Sequence, residues 1–208
     1  MEKKEAPVKP LQLMMLHFPA ERPQLELPEG YAVTKYNGTE EDIEGWLNVC
    51  RNGLLSAEAG REVFEGAILN RSDVDPLKDV IFIEHNGKKV ATTTAITNFV
   101  EPGFAPNYGW VHMVAVSAEE RGKGLAKFLN QAAEERFLEA GTRMVGLRTD
   151  EFRIPAIKSY LSAGFYPVNH APDMPGRWTE VITALGIDSI QMVKINGEPD
   201  IFIHAKKD

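Results

Sequence analysis

The run Val111-His112-Met113-Val114-Ala115-Val116 leads within five residues into Arg121-Gly122-Lys123-Gly124 and then into a helical pattern. Its apolar residues do not alternate with polar ones, which marks a strand covered on both faces and hence a central one. From Leu125 the apolar positions fall at Leu125, Phe128, Leu129, Ala132 and Ala133, one face of a helix, and Gly141 supplies the stop. Arg143–Thr149 reads as a second strand. A strand, a long helix and a strand imply two parallel strands joined by a right-handed crossover. The chain is thereby committed to a sheet with helices packed on it.

The flanking pattern fills in an α/β (α+β) domain. Tyr31–Tyr36 reads as a strand, and Thr39 followed by three acidic residues reads as a helix start, because a hydroxyl cap and early negative charge satisfy the unpaired amides. Helices are expected at about 39–52 and 56–70. Asp79–Glu84 and Lys88–Phe99 are β-rich runs separated by His85-Asn86-Gly87, a hairpin signal. Pro155 suits a first helical position, and Ile157, Tyr160 and Leu161 repeat at helical spacing until Gly164 ends that helix. A strand to about Val168, a helix near Arg177–Leu185 and a hairpin around Asn196-Gly197 complete the reading.

The boundaries drawn are an N-terminal extension and linker over 1–28, a domain over 29–170, and a C-terminal extension over 171–208 packed on it. The first of these carries LQLMMLHF among prolines, read as a tail that could add an edge strand.

Composition narrows the function classes. The chain has 208 residues, and its net charge of −7 opposes non-specific attraction to nucleic acid, so no such partner is expected. No apolar run approaches the ~20 residues that span a bilayer, and no secretory signal is visible, so no membrane partner and a cytoplasmic location are expected. Cys50 is the single cysteine and lies in an apolar helical stretch, the setting of a small buried hydrophobe. His17, His85, His170 and His204 lack ligand spacing, so no metal is expected.

The turn itself suits an anion. The first amides of a helix lack intrahelical acceptors and the macrodipole is positive there, so a diphosphate collects several backbone hydrogen bonds at once. Gly122, Gly124 and Ala126 leave room for phosphate oxygens, and Arg121 and Lys123 add charge. The plain alternative is a solvated turn. Neither a P-loop nor a dinucleotide fingerprint fits the spacing.

In these residues the chain resembles the GNAT superfamily of acyl-CoA-dependent N-acyltransferases. The signature stands as Arg121, Gly124 and Ala126 behind Val114-Ala115-Val116, and the later pattern as Ala156, Tyr160, Gly164 and Phe165. The resemblance covers about Gly30 to Val168. It implies a single domain with a mixed central sheet split between the strands at 109–116 and 143–149, flanked by helices, with acetyl-CoA as cosubstrate. Val114, Ala115 and Val116 would pair with the pantetheine, and Arg121, Gly122, Lys123, Gly124, Leu125 and Ala126 would cradle the pyrophosphate. Where many relatives carry Asn, this chain has Arg153, which either reaches a CoA phosphate or pairs with Asp150 or Glu151.

Acyl transfer needs an unprotonated amine, support for the developing oxyanion and a proton for the thiolate. By strand alternation Trp110, His112, Val114 and Val116 share a face, which places His112 as a base; the other reading is a buried structural histidine. Glu84 is a second candidate base. Tyr160 is the acid that the resemblance implies, or else a core tyrosine. The Val114 amide would hold the oxyanion. Trp46, Trp178 and Met174 either pack in the core or border the acceptor.

The function expected is N-acetyl transfer from acetyl-CoA to a primary amine of a small molecule, by direct attack in a ternary complex. The alternatives are a non-catalytic acyl-CoA sensor and a protein or peptide acetyltransferase. A monomer or homodimer is expected.

Overall fold

Asn86 and Gly87 take φ of 51° and 79° and turn β3, Val80–His85, back into β4, Lys88–Ile96. The hairpin belongs to a computed structural model that describes residues 11–100 and 107–206. The other strands are β1 (Leu13–His17), β2 (Tyr31–Lys35), β5 (Tyr108–Val116), β6 (Met144–Thr149), β7 (Tyr166–Pro167), β8 (Ser189–Val193) and β9 (Pro199–His204). Seven form one sheet in the order β2-β3-β4-β5-β6-β1-β7, antiparallel except for the β5–β6 pair. The hairpin at Asn196-Gly197 joins β8 to β9 as a separate two-stranded sheet.

The parallel pair stays together only at one end. Tyr108, Gly109 and Trp110 lie opposite Met144, Val145 and Gly146, and beyond them β5 runs to Val116 and β6 to Thr149 without pairing with each other. The divergence has a covalent cause in β5. Thr92 stands opposite Ala115 and Thr94 opposite His112, so Thr93 alone faces Met113 and Val114, and Met113 takes φ of 54°. One extra residue bends a strand and raises its twist. Here the bend turns β5 away from β6.

Strand β1 corrects the boundary at residue 28. It is not an edge strand on an extension but an interior one, pairing with β6 over Leu13↔Thr149 to His17↔Val145 and with β7 through Met15 and Leu16. Leu13 to Leu16 are at most 1% exposed. The run Leu13 to Leu16 does not alternate with polar residues because both of its faces are covered, as in β5. Residues 1–10 of that segment lie outside the described residues.

Helices cover both faces. On one lie α1 (Glu40–Cys50) and α2 (Arg61–Phe64, continued as a π-turn over Glu65–Leu69), and Trp46 and Phe64 pack there on Val80 and Phe82. Thr39 caps α1 by accepting from the Asp42 amide at 3.2 Å. The second helix starts later than 56, because residues 51–58 form turns held by the Arg51 guanidinium on the Ala59 carbonyl. A short α3, Pro76–Asp79, precedes β3.

On the other face lie α4 (Leu125–Glu139), α5 (Ile154–Ser162) and α6 (Met174–Leu185), packing Phe137, Ile157, Tyr160 and Trp178 on Leu13, Val145 and Leu147. Helix α6 begins at Met174 rather than 177, with Pro175 in its first turn, where the missing N–H costs no bond. Among the described residues no helix is long and apolar enough to cross a membrane.

Candidate active site

The splay between β5 and β6 opens a cleft of about 130 Å3. Val111, Met113 and Val114 line it from β5, Leu147 and Thr149 from β6, and Ala156 and Tyr160 from α5. Arg153 stands at its rim, and Gln12, ahead of β1, donates to Asp150 at 3.0 Å across its floor.

At the mouth, the turn into α4 has the geometry of an anion cradle. Gly122 and Gly124 take φ of 79° and 76°, a left-handed backbone that side chains resist. Gly124 is the N-cap residue and offers no side-chain cap. Among the described residues the amides of 122 to 126 have no acceptor. A turn that leaves its amides free and bears no Cβ at two positions can accept an anion.

The two cations of this turn are directed elsewhere. Lys123 Nζ lies 2.9 Å from Glu120, which also accepts from the Tyr31 hydroxyl at 2.5 Å and lies 3.2 Å from His85. The bonds from Tyr31 and Lys123 hold the Glu120 carboxyl down to about 2. Arg121 donates to the Asn52 carbonyl, and to Val116 at 3.3 Å. Asn52 Oδ1 accepts from the Ala118 amide at 3.2 Å, and Arg153 reaches the Gly53 carbonyl at 3.4 Å. The loop after α1 is thus tied to both sides of the cleft, and its Leu54 lines the interior. The sequence carried no signal for this bridge, since it depends on which loops meet.

For Arg153 the structure decides between the two ion pairs offered. It lies 3.4 Å from Asp150, whereas Glu151 is engaged by Arg177.

The bulge at Met113 corrects the alternation read along β5. Met113 and Ala115 pack beneath α1 and α2, whereas Val111 and Val114 pack with the α4–α5 core and Val116 packs with Leu125 and Leu129. His112 faces the α1–α2 side with its cross-strand partner Thr94, so it and Val114 project to opposite faces of the sheet. Burial first, and then the Arg71 guanidinium, push its imidazole down to about 4, partly offset by Asp73 and the Ala67 carbonyl. The ring is neutral at physiological pH.

Tyr160 is 7% exposed on the α4–α5 side and lines the cleft, with its ring 5.7 Å from that of Phe165. Burial pushes its phenol up to about 12, so it remains a proton donor.

Other candidates fall away from the cleft. Glu84 is on β3, separated from β5 by β4, where it accepts from Thr34 at 2.9 Å and lies 3.3 Å from Lys89. Trp46, Trp178 and Met174 are fully buried core residues. Cys50 is likewise fully buried, and burial pushes its thiol up, away from the reactive thiolate.

The sequence model of the Acetyltransferase (GNAT) family matches residues 40–165. No curated protein matches the chain. Among solved structures, the GCN5-related N-acetyltransferase from Sphaerobacter thermophilus superposes with a TM-score of 0.60 at 21% identity, over 76% of this chain and 49% of that one. The chain therefore spans about half the length of that protein. PH1933 from Pyrococcus horikoshii OT3 gives a TM-score of 0.56 at 14% identity, over 68% of this chain and 92% of that one. AAC(6')-Iy in complex with the bisubstrate analog CoA-S-monomethyl-acetylneamine gives 0.50 at 16% identity, over 64% and 89%. At these identities the likeness is one of fold.

Proposed function

The chain belongs to the GNAT acetyltransferase family, and on that premise we propose that it transfers an acetyl group from acetyl-CoA to a primary amine of a small molecule, by direct attack with both substrates bound. The observation that carries the reading is the conjunction of the β5–β6 splay with the free amides of residues 122 to 126 at its mouth. That AAC(6')-Iy is held with a bisubstrate analog supports a ternary complex on this fold. A narrow cleft bridged by the Asn52–Gly53 loop favours a small acceptor over a folded protein's tail.

Residues 122 to 126 would hold the diphosphate through their amides, with Arg121, Lys123 and Arg153 exchanging their present partners for phosphate oxygens. The edges of Val114, Ala115 and Val116 that do not pair with β6 would take the pantetheine as an added strand. Acetyl-CoA, when bound, supplies the activated acyl carbon and a thiolate leaving group.

The chain's own residues then manage two protons from opposite faces of the sheet. His112, neutral and on the α1–α2 side, accepts one from the acceptor nitrogen, directly or through water. Its low basicity delays that transfer until the carbon–nitrogen bond forms and the nitrogen becomes acidic. Tyr160, on the α4–α5 side, donates one to the departing sulfur. The Val114 amide, beside the bulge, supports the carbonyl oxygen as charge gathers on it.

The test is a mass-resolved screen of purified protein with acetyl-CoA and a panel of polyamines, arylalkylamines, aminoglycosides, amino acids and lysine peptides. At least one small amine is expected to gain an acetyl group. No product with any amine, together with no rise in melting temperature on adding CoA, overturns the reading.

A further inference from the structure

A second cavity, of about 500 Å3, lies between α4 and α5 beneath the segment that follows β1. Four polar contacts pin that segment across the two helices. The Ala20 amide donates to Glu134 at 2.8 Å, and Arg22 donates to the Ala163 carbonyl at 2.7 Å. The Leu25 amide donates to Gln131 at 3.0 Å, and Gln131 returns a bond to the Pro23 carbonyl at 3.2 Å. Glu134 is itself buried and held by His17 at 2.8 Å. The strap is therefore built in place, yet the space beneath it is not filled by its own Pro23 and Leu25, which only line it. The inner wall is apolar, formed by Val111, Ala133, Phe137 and Phe165. The space is open at its rim, where Lys127, Asn130, Ser159 and Ser162 also line it, so a ligand can enter from solvent.

The cavity adjoins the cleft. Val111 lines both, directly after Trp110, the last residue of β5 opposite β6. Tyr160, in the cleft, packs against Phe165, in the cavity. A chain attached to a carbonyl near Tyr160 would have to pass Val111 to reach the apolar space on the α4–α5 side.

We propose that this strapped cavity holds the tail of an acyl group longer than acetyl, so that the enzyme accepts medium-chain acyl thioesters of the octanoyl class. The inference rests on the acyltransferase reading above and extends its donor. The chemistry balances as for acetyl: the carbon–sulfur bond breaks, a carbon–nitrogen bond forms, the amine gives up one proton and the thiolate takes one. The apolar wall adds binding for each methylene removed from water.

Calorimetric titration with CoA, acetyl-CoA and octanoyl-CoA tests this without turnover. Octanoyl-CoA should bind on the order of 10- to 100-fold tighter than acetyl-CoA, after the cost of ordering the chain. Ala133→Leu, which fills the cavity from α4, should erase most of that gain and leave acetyl-CoA affinity unchanged. Ala163→Leu does the same from α5 and serves if the first variant melts early. Octanoyl-CoA binding no tighter than acetyl-CoA, or a gain that survives both substitutions, overturns the proposal while acetyl-CoA binding leaves the acetyltransferase reading standing. If neither thioester nor CoA binds, the reading beneath it fails instead.

Discussion

Thr94 of β4 stands directly opposite His112 of β5, and among the described residues neither the threonine hydroxyl nor the imidazole Nε2 has a hydrogen-bond partner. Each buried polar atom left so costs about 1–3 kcal/mol. The two sit beside the bulge that separates β5 from β6, where Met113 also holds a left-handed φ that a side chain disfavours. Strain and unsatisfied polarity thus collect at the bulge itself.

His112 makes stability depend on pH. Its folded pKa of about 4 lies below the ordinary ~6.5, so between those values the unfolded chain binds the extra proton and folding weakens as pH falls. The contribution is complete above ~6.5 and gone below about 4, with a magnitude on the order of 3 kcal/mol. Denaturant melts at pH 7, 5.5 and 4 should show wild type losing about that much more than His112→Asn. Parallel pH dependences of the two proteins would refute the buried neutral imidazole.

Tyr160→Phe removes the proposed proton donor and keeps the ring in the core. Turnover should fall about 10- to 100-fold while CoA affinity changes less than about threefold, as expected for a group that acts in the transition state. Because the phenol is pushed up to about 12, the wild-type rate should show no loss from this group up to pH 10. An unchanged kcat would remove Tyr160 from the reaction.

Gly146 marks the closed end of the splay. A Cβ there would lie 2.5 Å from the Tyr108 hydroxyl and 2.6 Å from the Trp110 ring. Gly146→Ala should cost about 1–3 kcal/mol through overpacking. Gly176→Ala in α6, where a Cβ meets nothing within 4 Å, should be neutral or stabilising by up to about 1 kcal/mol. Thermal melts of the two variants check the contrast.

Removing residues 1–28 should abolish cooperative folding, because it deletes β1 and leaves β6 and β7 without their shared neighbour. Met15→Ala within the full chain should cost about 2–5 kcal/mol. A cooperative melt and native circular dichroism from a chain beginning at residue 29 would contradict the interior placement of β1.

Much of the architecture follows from local pattern. The nearly continuous apolar run of β5, the helical face of Leu125 to Ala133, the Asn86-Gly87 turn and the Thr39 cap each state an element through its own residues, and the free amides after Gly122 follow from where a strand hands over to a helix. Local pattern states that Leu13 to Leu16 need cover, but it does not name their neighbours, and so the placement of β1 between β6 and β7 came only with the assembled sheet. The bulge at Met113 escaped in the same way, because register is a property of two strands and one unpaired residue reverses every side chain beyond it. That reversal put His112 and Val114 on opposite faces. The Arg121 and Arg153 contacts to the Asn52–Gly53 loop, and the strapped cavity between α4 and α5, likewise join segments distant in sequence. Their existence depends on packing, since a side chain finds its partner only after the backbone has brought the two together.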